Sequence, residues 1–188
     1  MTVRFLTMTA TVLSGAMLMT PAPLQAAEVF SATATVKTAD GKTASAPMTI
    51  TIDRTLSKTE ADTLIAAFKS GGAAALRKAL VGVKPTGSVA IGAGKPTPAR
   101  LAIERTTGSG KLLTIVTDRP LLFLGAAAPG AKPREGYDFA VVDIEVDASG
   151  NGSGTVAPAA KIKLNGDAFV VEDYASEVVR LSAVKKTK

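Results

Sequence analysis

Residues 28–53 read EVFSATATVKTADGKTASAPMTITID, and this stretch decides the fold. From Glu28 to Thr38, Phe30, Ala32, Ala34 and Val36 fall on one side. From Pro47 to Asp53, Met48, Ile50 and Ile52 fall on one side and Thr49, Thr51 and Asp53 on the other. Successive side chains of a strand point to opposite faces, so this period of two predicts a sheet with one buried face. Asp40-Gly41, between the two halves, suits a type I′ hairpin turn, in which both central residues need positive φ. The expectation is an antiparallel hairpin.

The same signature recurs downstream. Val89-Ala90-Ile91, Ala99 to Thr106, Lys111 to Thr117, Tyr137 to Asp147, Thr155 to Leu164, Asp167 to Asp173 and Glu177 to Val184 are short segments bounded by Gly, Asn, Asp or Pro. Asn165-Gly166 is the strongest hairpin signal among the boundaries. Strands joined by tight turns cannot be parallel, because a parallel pair needs a crossover of a dozen residues or more. The reading is therefore β-rich (α+β): an antiparallel β-sandwich or barrel.

Between the first hairpin and the later strands the period changes. Ser57 and Glu60 stand at capping-box spacing, and Ala61, Leu64, Ile65 and Phe68 follow as one apolar helical stripe. Gly71-Gly72 interrupts it; Leu76, Ala79, Leu80 and Val83 then form a second stripe ahead of Pro85. This predicts an inserted helical hairpin at about residues 57–83 that packs on the sheet.

The beginning of the chain is of another kind. Arg4 precedes an apolar run from Phe5 to Met19, and Pro21, Pro23 and the small residues Ala26 and Ala27 end it. That is the layout of a secretory signal peptide, residues 1–26. The run stops short of the 20 or so apolar residues of a membrane span, and no second run of that length follows. The expected mature chain, residues 27–188, is a single domain, exported to the periplasm or the extracellular medium, with no transmembrane segment.

Of 188 residues, 22 are Lys or Arg and 16 Asp or Glu; His, Cys and Trp are absent, and 33 are Ala. Without imidazole or thiol there is no Ser-His-Asp or Cys-His nucleophile, no Cys/His zinc or iron–sulfur site and no disulfide. The net charge of +6 attracts anionic surfaces. With 8 aromatic residues and no recognisable nucleic-acid motif, specific nucleic-acid binding is not expected. An anionic envelope component or another protein is the expected kind of partner, and no cofactor is implied.

Four constellations bear on chemistry. Leu121-Leu122-Phe123-Leu124 leads into a Gly/Ala/Pro-rich stretch that ends at Gly136, and the cations around it, Arg119, Lys132 and Arg134, form a candidate anion-binding rim. Thr106 to Leu112 lacks the first Gly and the final hydroxyl of a phosphate-binding loop, and reads as a hairpin loop. Asp147 to Gly152 begins like a calcium loop but has Pro158 where the bidentate Glu belongs, so a turn is expected. Asp143, Glu145 and Asp147 share one face of a strand, opposite Val142, Ile144 and Val146, and read as a solvated outer face. The functional expectation is an exported, non-catalytic binding, scaffolding or envelope-maintenance protein. The competing class is a hydrolase that uses only carboxylate, Ser and Lys groups. Buried carboxylates in one cleft favour the enzyme; an open apolar cavity or an exposed sheet edge favours binding.

Overall fold

The computed structural model describes residues 26–37, 41–121, 135–165, 168–173 and 179–188. Nearly all of the expected leader therefore lies outside the described residues.

Among the described residues, nine strands and one helix follow in the order β1 (Glu28–Lys37), β2 (Thr43–Ile52), α1 (Lys58–Gly82), β3 (Gly87–Ile91), β4 (Thr97–Thr106), β5 (Gly110–Thr117), β6 (Phe139–Asp147), β7 (Asn151–Asn165), β8 (Ala168–Asp173) and β9 (Val179–Lys186). Every pairing is antiparallel. Strands β1 to β6 pair in sequence, β6 pairs with β7, β7 with β9, and β9 returns to β1. The ring is closed and has eight strands. Of the two architectures compatible with the sequence pattern, the structure is the barrel. β8 stands outside the ring, paired with residues 160–165 of β7.

Alternation fills the lumen as the sequence implies. Phe30, Ala32 and Ala34 of β1 and Met48, Ile50 and Ile52 of β2 are buried together with Val89, Leu113, Ile115, Val142, Ile144 and Leu181. A ring of eight strands has an interior just wide enough for side chains to fill, and here Ala on β1 faces the larger residues. On β7, a Cβ at Gly152 would collide with the carbonyl of Glu145, and one at Gly154 with that of Asp143. Glycine at these places lets β7 lie hard against β6.

The first hairpin differs from expectation in register. Lys37 faces Thr43 and Phe30 faces Ile50, so the connection has five residues and is not a two-residue Asp40-Gly41 turn. Paired residues of an antiparallel ladder point to the same face. The inward residues of both strands carry even numbers, so only a connection with an odd number of residues brings them to one lumen. Hairpin β7–β8 forms where Asn165-Gly166 predicts it, with Asn165 opposite Ala168.

The helical insertion breaks where the sequence implies: two helical halves of α1 meet at a kink where Gly71 (φ −154°) and Gly72 (φ 63°, ψ −152°) leave helical geometry. Ser57 caps its start: the Ser57 hydroxyl accepts from the Glu60 amide at 3.3 Å, and the Glu60 carboxylate accepts from the Ser57 amide at 2.9 Å. Leu64, Leu76 and Leu80, each from the predicted stripes, are buried against the outside of the barrel on Leu101, Val116, Phe139, Val141, Ala160 and Ile162. The molecule thus has two cores, one inside the ring and one between the ring and α1.

Candidate functional site: a groove between the helix and the barrel

One cavity among the described residues lies outside the ring, under the helix. It measures about 330 Å³ and lies between the second half of α1 and the outer faces of β4, β5 and β6. Its volume is at the lower end of the range typical of small-molecule sites.

The groove follows from register. On the outer face, Leu101, Val116, Val141 and Ala157 form one row across β4, β5, β6 and β7. The next row is Ile103, Thr114, Asp143 and Thr155, and the one after it Arg105, Leu112, Glu145 and Ser153. The surface therefore grades from apolar, under Leu76 and Leu80 of α1, to polar toward the open end. Both ends of α1 are fastened to β4: the Leu56 amide donates to the Ala102 carbonyl at 2.9 Å, and the Arg100 guanidinium donates to the Val83 carbonyl at 3.0 Å. Arg100 also pairs with Asp118 at 2.9 Å, with both side chains largely buried. The cation sits at the C-terminal end of the helix, where the helix itself has no basic residue in its last turn.

Two charged side chains line it, Arg105 and Asp143. Asp143 accepts a hydrogen bond of 2.6 Å from Thr114, and Glu145, in the Arg105 row, accepts one of 3.0 Å from Ser109. Arg105 is exposed and, among the described residues, its guanidinium has neither a hydrogen-bond nor an ion-pair partner. Sequence reasoning missed this residue. Its signal was present: β4 is apolar on both faces, with Ala102 inward and Leu101 and Ile103 outward, so something had to cover the outer face, and Arg105 ends that outward series.

Of the rim expected from sequence, Arg119 alone lies among the described residues. Arg119 is 60% exposed and lies 3.8 Å from Asp118, which Arg100 already engages. Lys132 and Arg134 lie outside the described residues.

A second charged cluster closes one mouth of the barrel. The Lys111 ammonium lies 2.8 Å from Glu28 and 3.2 Å from Glu104, and Lys186 also bonds Glu28. A cavity of about 370 Å³ above Phe30 and Val146 is lined by these groups. Burial alone would raise the Glu28 carboxyl, but the hydrogen bonds and charges of Lys111 and Lys186 together outweigh it and hold the group below its ordinary range. Lys111 shows the mirror case: burial works to lower it, while Glu28 and Glu104 carry it above its ordinary value. Both groups are thus stabilised in their charged forms, the reverse of what a proton-donating carboxylic acid or a nucleophilic amine requires.

The remaining motifs are structural. Asp143, Glu145 and Asp147 point outward and Val142, Ile144 and Val146 inward, as the alternation predicts. Asp147 accepts from the amides of Ser149 and Asn151 at 2.8 and 3.0 Å, which makes its loop a turn. Residues 107–109 connect β4 to β5, closed by the Thr107 amide on the Gly110 carbonyl at 2.9 Å. Among the described residues no cluster of three acidic side chains is placed to hold a metal ion, and no helix is long and apolar enough to cross a membrane. No protein family, curated protein sequence or solved structure matches this chain, and the functional reading accordingly rests on the groove.

Proposed function

We propose that the protein is an exported, non-catalytic binding protein that takes an apolar ligand in the groove between α1 and the outer face of the barrel. The observation that carries this reading is the groove itself: a preformed apolar cavity, clamped at both ends of the helix, with a small number of polar groups at one end. That combination is the usual composition of a ligand site. The lumen, packed with buried aliphatic and aromatic side chains, leaves the groove as the better host. Export rests on the leader-like residues 1–26.

The competing hydrolase reading draws no support from the carboxylates. Glu28 is ion-paired and held ionised, and Asp143 and Glu145 each accept a hydroxyl hydrogen bond on the outer face. The test is titration with N-phenyl-1-naphthylamine, whose emission rises in apolar surroundings. The mature protein is expected to raise it. Ile103→Trp, at a half-buried position lining the groove, is expected to abolish the rise while leaving the thermal midpoint within a few degrees. An emission rise unaffected by Ile103→Trp places the probe elsewhere and defeats the reading, as does no rise at all.

A further inference from the structure

The ligand class of the groove follows from Arg105, the charged side chain lining it that has, among the described residues, neither a hydrogen-bond nor an ion-pair partner. Resting on the reading above, we infer that the occupant is a single-chain anionic amphiphile: its tail lies along the accessible stretch of the groove over Ile103, beside the packed Leu76 and Leu80 of α1, and its carboxylate or other anionic head is held by Arg105.

Three observations point the same way. First, polarity runs in one direction along the groove, from buried Leu101 through half-buried Ile103 to exposed Arg105 on a single strand face, so a ligand that fits must itself be apolar at one end and polar at the other. Second, the sign of the head is set by which charge is available. Asp143 is engaged by Thr114 and Glu145 by Ser109, whereas Arg105 has no partner among the described residues. A guanidinium offers a planar fork of N–H donors that matches a carboxylate or phosphate oxygen pair. Third, the cavity of about 330 Å³ is a slot under one helix, suited to one chain of medium length and not to a two-chain lipid. Asp143, one row deeper, and Glu145, two strands away in the Arg105 row, both repel a negative charge, so the head is confined to the β4 side of that row, at Arg105.

The experiment measures affinities by isothermal titration for dodecanoate, dodecanol and dodecyltrimethylammonium, each below its micelle concentration, on the mature protein and on Arg105→Gln. Dodecanoate is expected to bind about five- to tenfold more tightly than dodecanol, the size of effect of a partly exposed ion pair. The preference is expected to vanish in Arg105→Gln and to shrink as salt is raised. Dodecanol is expected to bind both proteins equally. Equal binding of dodecanoate and dodecanol by the unaltered protein overturns the head-group assignment and leaves the apolar site standing. A preference for the cation also overturns it and makes Asp143 the selecting charge. If no probe binds, or if sedimentation shows a dimer that Ile103→Trp dissociates, the groove belongs to something other than an amphiphile, and the underlying reading fails with the inference.

Discussion

Leu80→Ala and Leu113→Ala remove the same atoms from two side chains that are equally inaccessible, both 0% exposed, yet their costs are expected to differ. Each substitution removes about three methylene equivalents of burial, or about 2.4 kcal/mol at about 0.8 kcal/mol per group. A second contribution depends on the space left behind, because an enclosed void that the surroundings cannot fill adds to the loss. Leu113 points into the lumen, walled by Phe30, Ile50, Ile115 and Ile144 on a closed ring of strands. A hydrogen-bonded ring cannot contract locally, so the void persists and the cost falls at the upper end of the Leu→Ala range, about 4–5 kcal/mol. Leu80 instead borders a groove that is already open to solvent at one end. Its removal widens that groove, and α1, kinked at Gly71-Gly72, can settle toward the barrel, so the cost stays near the transfer value, about 2–3 kcal/mol. Urea denaturation followed by far-ultraviolet circular dichroism reads both numbers, with equal slopes required for the comparison. Equal costs, or a larger cost for Leu80→Ala, would refute the distinction between a rigid lumen and a yielding outer core.

Three further outcomes are expected. Lys111→Met removes the cation shared by Glu28 and Glu104 and leaves Glu28 with Lys186 alone, at a cost of about 1–2 kcal/mol at neutral pH once partial exposure is allowed for. Because Glu28 is held below its ordinary 4.5 in the folded state, its contribution is complete above pH 4.5 and is lost as the pH falls toward the lowered value; the variant's deficit therefore narrows in acid. Lys111 is held above 10.5, so its contribution is complete below pH 10.5 and disappears at higher pH, which thermal melts across the two ranges will resolve. Ser57→Ala removes the helix cap, with an expected loss of about 1 kcal/mol in urea denaturation. Glu60, drawn down to about 2 chiefly by the Arg54 hydrogen bond and then by the Ser57 amide, keeps its contribution above pH 4.5 and gives it up between there and about pH 2. Gly72→Ala puts a side chain at φ 63° and ψ −152° and is expected to cost about 1–3 kcal/mol, whereas Gly82→Ala, with nothing near its added Cβ and no positive φ, is expected to be neutral or stabilising. Similar thermal midpoints for the two glycine variants would show that the kink carries no conformational demand.

Local chemistry was fully visible in the chain. The inward series Phe30, Ala32, Ala34 and Met48, Ile50, Ile52, the cap formed by Ser57 and Glu60, and the stripe that ends in Leu76 and Leu80 each depend on neighbours a few residues away. Period and capping express such short-range geometry directly. Even the odd-length first hairpin was legible, because the inward residues on both strands share parity; the Asp40-Gly41 turn signal pointed to a different register because it describes two residues and not the ladder they serve.

What the tertiary structure alone decided is who neighbours whom. Alternation says that one face of each strand is buried, and a sandwich and a barrel satisfy it equally; the choice was made by the β9–β1 and β6–β7 pairings, the first of which joins residues more than a hundred positions apart. The groove belongs to the same level. The sequence shows that Arg105 ends an outward apolar series and Arg119 does not, but only the stacking of three outer rows under the helix leaves one guanidinium beside an apolar slot while the other lies exposed near an aspartate already engaged. A binding site made by long-range register cannot be read from a one-dimensional pattern, because the pattern carries the direction of each side chain and not the identity of what it meets.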